Sequence, residues 1–209
     1  MRNALFAGGL VCSLAIAAPA RATPAREPVV GLPCENCEIV FEGMPDSLAS
    51  RVRIAPAGEP GEPLRIDGVV RDGAGRPRAG IIVYAYHTNH DGIYPRAQTR
   101  HGALRGWART DEQGRYRFDT IRPGGYPGTD IPQHIHMHII EPGRCTYWID
   151  DIHFDDDPRL TDRLRREFSS APRAGNGVAN PARDRDGSWR VTRDIVLGLN
   201  IPGYPARNK

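Results

Sequence analysis

The sequence has one lysine, Lys209, at the end of its 209 residues. Schiff-base catalysis needs an amine held inside a site, so this scarcity argues strongly against chemistry of that kind. The chain also lacks a Gly-x-Ser-x-Gly elbow, a Walker loop and a Gly-x-Gly-x-x-Gly turn after a strand. The usual sequence signals of serine hydrolases and nucleotide-binding proteins are therefore missing.

Residues 1–22 have the features of a secretory signal peptide. Arg2 gives a positive start, residues 5–18 form an apolar run too short to span a membrane, and residues 20–22 form a small-residue cleavage site. Cleavage would leave 26 basic and 25 acidic side chains, a net charge of +1. A near-neutral chain without a basic cluster is not expected to bind nucleic acid, nor a membrane once the signal is removed. We expect a periplasmic or secreted protein.

Three cysteines follow the signal: Cys34, Cys37 and Cys145. In an oxidising compartment such residues usually form disulfides. The spacing leaves open whether Cys34 pairs with Cys37 or whether one of them reaches Cys145. A structural zinc site needs about four ligands, and no fourth candidate lies near the Cys34–Cys37 pair.

The hydrophobic pattern changes near residue 63. Residues 23–62 form an arm rich in proline and glycine that ends in a linker-like segment. Beyond it, short alternating stretches separated by turns predict an all-β fold, an antiparallel β-sandwich with a short helical segment and long loops. We expect the helix only within residues 158–168, a long loop over residues 171–187, and a hairpin around the turn at residues 111–114.

The segment from Gly125 to His136 has the composition of a metal site. His134 and His136 are two residues apart, so on a strand their imidazoles point to the same face. Tyr126 precedes them across a turn and can supply a phenolate, a hard ligand suited to ferric iron. His138 continues the same face, but the strand rise places it about 13 Å from His134, which favours core packing or a second-sphere role.

Residues 64–158 resemble the intradiol ring-cleavage dioxygenases, the family that includes protocatechuate 3,4-dioxygenase and catechol 1,2-dioxygenase. The residues that carry the resemblance are Gly-Val-Val-Arg-Asp-Gly-Ala-Gly-Arg-Pro at 68–77, Asp-Gly-Ile-Tyr-Pro at 91–95, the run at 109–127, and Pro-Gln-His-Ile-His at 132–136. The resemblance implies a dioxygenase-like domain over residues 63–209. It also implies Fe(III) bound by Tyr94, Tyr126, His134 and His136, and cleavage of an aromatic ortho-diol between its hydroxyls with O₂.

Two positions depart from the family pattern. Ile131 stands where the resemblance implies an arginine near the substrate, and Asp151 stands where it implies a glutamine. The resemblance implies a catalytic role for Tyr126, and Asp151 occupies the position of an active-site residue. We expect these two to be the catalytic side chains, with an altered electrostatic field around the substrate. The arginine-rich loop with Arg96, Arg100, His101 and Arg105 is one candidate source of the missing positive charge.

Two other functions are compatible with the sequence. One is a non-catalytic β-sandwich binding module, since fold does not imply function. The other is the same site holding zinc or copper for a different chemistry. The sequence specifies neither the substrate nor the oligomeric state, and a homo-oligomer is one of the alternatives.

Overall fold

Two mixed β-sheets pack face to face in the computed structural model, which describes residues 27–34 and 37–206. The larger sheet contains β1 (Arg51–Arg53), β2 (Pro63–Arg71), β5 (Arg115–Ile121), β9 (Ala182–Arg183), β10 (Trp189–Thr192) and β11 (Ile195–Val196). The smaller sheet contains β3 (Ile82–Tyr86), β4 (Arg105–Arg109), β6 (His134–Glu141), β7 (Cys145–Phe154) and β8 (Val178–Ala179). The prediction of a mainly β, sandwich-like fold is confirmed.

Alternating apolar residues from both sheets form the core between them. Ile66 of β2 and Phe118 of β5 meet Met137 of β6 and Ile149 of β7 in one cluster of buried side chains. The period-two pattern of these strands buries one face of each sheet against the other.

The prediction of a purely antiparallel sandwich is wrong. The long strands do pair antiparallel, as β2 with β5 and as β6 with both β3 and β7. Short strands at or near the edges pair parallel instead: β1 with β5, β10 and β11 with β2, and β8 with β7. Long connections bring these short strands to their partners, and parallel pairing requires such connections.

The turn at residues 111–114 forms, but it does not make a hairpin. Gly114 N donates to Asp111 O at 2.8 Å, which closes the turn. However, β4 before it pairs with β3, and β5 after it pairs with β2 and β1, so the chain crosses from one sheet to the other. The loop predicted over residues 171–187 also differs, because it includes β8 and β9.

One α-helix lies where the sequence predicts it. Helix α1 (Asp162–Ser170) begins after Thr161, whose side chain accepts a hydrogen bond from Leu164 N at 3.3 Å. Such an N-cap satisfies one of the otherwise unpaired amides of the first turn. None of the helices in the described ranges is long and apolar enough to cross a membrane.

The described part of the predicted arm packs onto the domain. Residues Cys37–Phe41 form a 3₁₀ helix on the outer face of the smaller sheet, with Val40 buried beside Tyr84 and Trp107. Cys34 and Cys37 form a disulfide, while Cys145 is a buried free thiol. The boundary at residue 62 stays a prediction, and the predicted signal lies outside the described residues.

Candidate metal centre

The candidate ligands lie on the outer face of the smaller sheet. Ile135 and Met137 of β6 point into the core, so His134, His136 and His138 point the opposite way. The 3₁₀ helix covers this face only as far as His138, which is buried with its Nδ1 at 3.8 Å from Cys37 Sγ. His138 is therefore buried, which agrees with core packing, one of the two roles expected for it, whereas His136 is partly exposed.

Two loops bring the tyrosines to this face. Tyr94 lies in the connection between β3 and β4, and Tyr126 in the connection between β5 and β6. The loops touch backbone to backbone through glycines: a Cβ on Gly92 would lie 2.1 Å from Gly125 O, and one on Gly124 would lie 2.3 Å from His90 O. Glycine permits this close approach because it has no side chain.

The structure brings all four predicted ligands together. Tyr126 Oη lies 2.7 Å from Tyr94 Oη and 3.3 Å from Nε2 of both His134 and His136. The two histidine Nε2 atoms are 3.2 Å apart. Two donors bound at about 2.0–2.1 Å to one ion would lie about 2.8–3.4 Å apart at right-angled or tetrahedral positions. The spacings among Tyr126 Oη, His134 Nε2 and His136 Nε2 thus fit a single metal ion, and Tyr94 Oη lies slightly closer to Tyr126 than this range.

Each histidine is held by its other nitrogen. His134 Nδ1 lies 2.7 Å from Pro132 O, and His136 Nδ1 lies 3.0 Å from Asp151 Oδ2. Because a carbonyl and a carboxylate accept hydrogen bonds, each Nδ1 carries the proton and each Nε2 lone pair faces the cluster. This is the usual arrangement around histidines that bind metals. Asp151 therefore acts on His136, a role that the sequence did not reveal.

A β-bulge aims Asp151 at His136. The pairing of β6 with β7 runs in register through Ile135 and Ile152, then shifts so that Met137 lies opposite Ile149. Asp150 and Asp151 together therefore oppose the single residue His136. A bulge of this kind turns side chains out of simple alternation and is common beside active sites.

The electrostatics favour neutral donors until a cation binds. Burial raises the pKa of Tyr94, and the hydrogen bond with Tyr126 raises it further. Burial likewise raises the pKa of Tyr126 and lowers that of His134. Two protonated phenols and a neutral imidazole result at neutral pH. A highly charged metal ion would displace the phenol protons and stabilise the phenolates, as ferric iron does.

Tyr86 was not predicted from the sequence as part of the site, but its ring stacks beside the donor cluster. It stacks on His136 with 4.6 Å between ring centroids and on buried His101 at 3.8 Å. Tyr86 pairs with His136 across β3 and β6, so alternation along β3 is the signal that would have found it. Cys34, Cys37 and His138 form a second group of residue types that can bind a metal. The two cysteine sulfurs of this group are joined to each other in the disulfide.

A cavity of about 810 Å³ adjoins the cluster. His134, Asp151 and His153 line it from the sheet, Ile131 and Arg159 from loops, and Phe168 from α1. The ring of His153 stacks on that of Phe168 at 4.1 Å, which joins the helix to the sheet. Arg96, Arg100, His101 and Arg105 are not among the residues that line this cavity.

A β-sandwich with a tyrosine–histidine donor cluster beside a cavity defines a candidate metalloprotein. The chain belongs to the intradiol dioxygenase family, because a family model described as Dioxygenase matches residues 45–197. It is 33% identical over 116 residues to the protocatechuate 3,4-dioxygenase beta chain of Burkholderia cepacia, covering 49% of each chain. It is 31% identical over 142 residues to chlorocatechol 1,2-dioxygenase of Rhodococcus opacus, covering 58% of this chain and 52% of the relative.

Solved structures share the fold. The dioxygenase domain of a dioxygenase carbohydrate-binding protein fusion from Streptomyces sp. SirexAA-E superimposes with a TM-score of 0.56 at 26% identity, covering 76% of this chain and 96% of that one. The chain spans about half the length of the curated relatives named above.

Proposed function

We propose that the protein is an exported, Fe(III)-dependent dioxygenase that cleaves an aromatic ortho-diol between its two hydroxyl-bearing carbons. The observation that carries this proposal is the convergence of Tyr126 Oη with three other donor atoms within 3.3 Å. A binding module without a metal has no need for two phenols and two imidazoles at that spacing. Family membership points to the same chemistry.

Tyr94, Tyr126, His134 and His136 would hold the iron. The bound ion would act as a Lewis acid toward the diol and allow it to react with O₂. In the overall reaction the carbon–carbon bond between the hydroxyl-bearing carbons breaks, both oxygen atoms of O₂ enter the product, and a diacid forms.

The side chains of the protein have separate tasks in this reaction. Tyr126 Oη would be the group that takes up a proton from the diol, since burial raises the pKa of this phenol above its usual value. Asp151 keeps the proton of His136 on Nδ1 and so keeps Nε2 available as a ligand. The cavity beside His134 and Asp151 is where the aromatic ring would lie.

Oxygen labelling tests the proposal directly. The purified protein is loaded with ferric iron, supplied with catechol and ¹⁸O₂, and the product is analysed by mass spectrometry. We expect a ring-opened diacid that contains both labelled atoms, and no product from His134→Ala or from protein loaded with zinc. An iron-loaded protein that leaves catechol intact, together with tighter binding of zinc or copper than of iron, would instead support a different metal chemistry.

A further inference from the structure

We infer that Arg159 is the cation that receives the negatively charged diol in the cavity beside the candidate metal centre. This inference rests on the proposed function, because it concerns the substrate of that site. An ortho-diol that binds a metal ion gives up protons and becomes anionic. Asp130 and Asp151 both line the cavity, so an anionic ring would meet carboxylates there unless a cation opposed them.

The guanidinium of Arg159 is free to bind an anion. Its only side-chain hydrogen bond within the described residues is a weak one, from Nη1 to Ile131 O at 3.5 Å, and it forms no ion pair there. The other arginine that lines the cavity, Arg163, is paired with Glu167 at 3.1 Å. Arg159 is therefore the better placed of the two cations.

The backbone around Arg159 is tied to the strand that carries the histidines. Asp157, which is only 4% exposed, accepts a hydrogen bond from Arg159 N at 2.9 Å and another from Gln133 N at 2.6 Å. Gln133 directly precedes His134. One buried carboxylate thus fixes the position of Arg159 relative to a candidate ligand.

The guanidinium also lies against the loop that carries Tyr126. A Cβ on Gly125 would lie 2.1 Å from Arg159 Nη1, so the guanidinium packs directly against this glycine. Ile131, which also lines the cavity, contributes its carbonyl oxygen 3.5 Å from Arg159 Nη1 but no charge. The positive charge comes instead from Arg159, in the loop between β7 and α1. Its guanidinium lies between Gly125, which precedes Tyr126, and Ile131, which lies three residues before His134.

Anaerobic titration with catechol tests this inference, because binding to iron is then measured without turnover. Arg159→Met should weaken catechol binding about tenfold, which corresponds to about 1.4 kcal/mol. Arg159→Lys should recover part of the loss, and Arg163→Met should stay within about twofold of the wild type. Added salt should weaken binding to the wild type more than to Arg159→Met. Iron content should be equal in all four proteins.

Two results would overturn the inference, and they are distinguishable. If Arg159→Met binds catechol as tightly as Arg163→Met, with the same salt dependence, Arg159 does not bind the diol although the proposed function stands. If the iron-loaded wild type does not bind catechol at all, the proposed function fails and this inference fails with it.

Discussion

The contact between Asp151 and His136 gives the sharpest test of how the candidate metal centre is built. A hydrogen bond of 3.0 Å from Nδ1 of His136 to Asp151 orients the imidazole, and both side chains are about one quarter exposed. Removing such a partner of a metal-binding histidine typically costs 10- to 100-fold in metal affinity, or about 1.4–2.7 kcal/mol. We therefore expect Asp151→Ala to weaken ferric iron binding by that factor.

The amide variant separates orientation from charge. Asp151→Asn keeps an oxygen that accepts from His136 Nδ1, so its loss of affinity should be under about tenfold. Asp150→Asn is the matched control, because the Asp150 carboxylate accepts from Arg173 N at 3.0 Å instead and makes no hydrogen bond to His136. Iron affinity is measured by competition with a chelator, and thermal unfolding checks the fold. If Asp151→Ala held iron as tightly as Asp150→Asn, the orienting role would be wrong.

Two further predictions concern stability and are measured by chemical denaturation. Gly68→Ala should lower the free energy of unfolding by about 1–3 kcal/mol, because its Cβ would lie 2.2 Å from Arg193 O. Gly73→Ala, with nothing within 4 Å of the new Cβ, should change it by less than about 0.5 kcal/mol, and equal losses in the two variants would contradict the packing argument. Thr161→Ala removes the cap on Leu164 N and should cost about 1 kcal/mol, whereas Thr161→Ser should cost little.

Alternation along β6 was sufficient to place two of the candidate ligands. The period of two puts His134 and His136 on one face wherever that strand forms, and this is a local property. The tyrosines differ, because Tyr94 and Tyr126 lie in loops whose contact depends on close backbone approach through Gly92 and Gly125. The resemblance to known dioxygenases, and not periodicity, pointed to Tyr94.

The orientation of Asp151 follows from a break in the alternation of buried residues along β7. Tyr147 and Ile149 alternate into the core, and so do Ile152 and Phe154, but the phase shifts between the two pairs. That shift is the sequence signal of the bulge that aims Asp151 at His136.

The parallel pairing of the short strands had no comparable signal. A strand of two to four residues is defined by its neighbour and not by its own pattern. The expected hairpin at residues 111–114 failed for a related reason: turn chemistry specifies the turn but not whether the flanking strands stay in one sheet.

The proposed binding of one ferric ion by Tyr94, Tyr126, His134 and His136 is tested by a visible absorption spectrum, with bound iron quantified on the same sample. We predict a broad charge-transfer band, about one iron per chain, and loss of colour in Tyr126→Phe. Tyr204→Phe should keep the colour, because the Tyr204 hydroxyl donates to Glu141 away from the cluster. A colourless protein that takes up no iron on reconstitution would contradict the account.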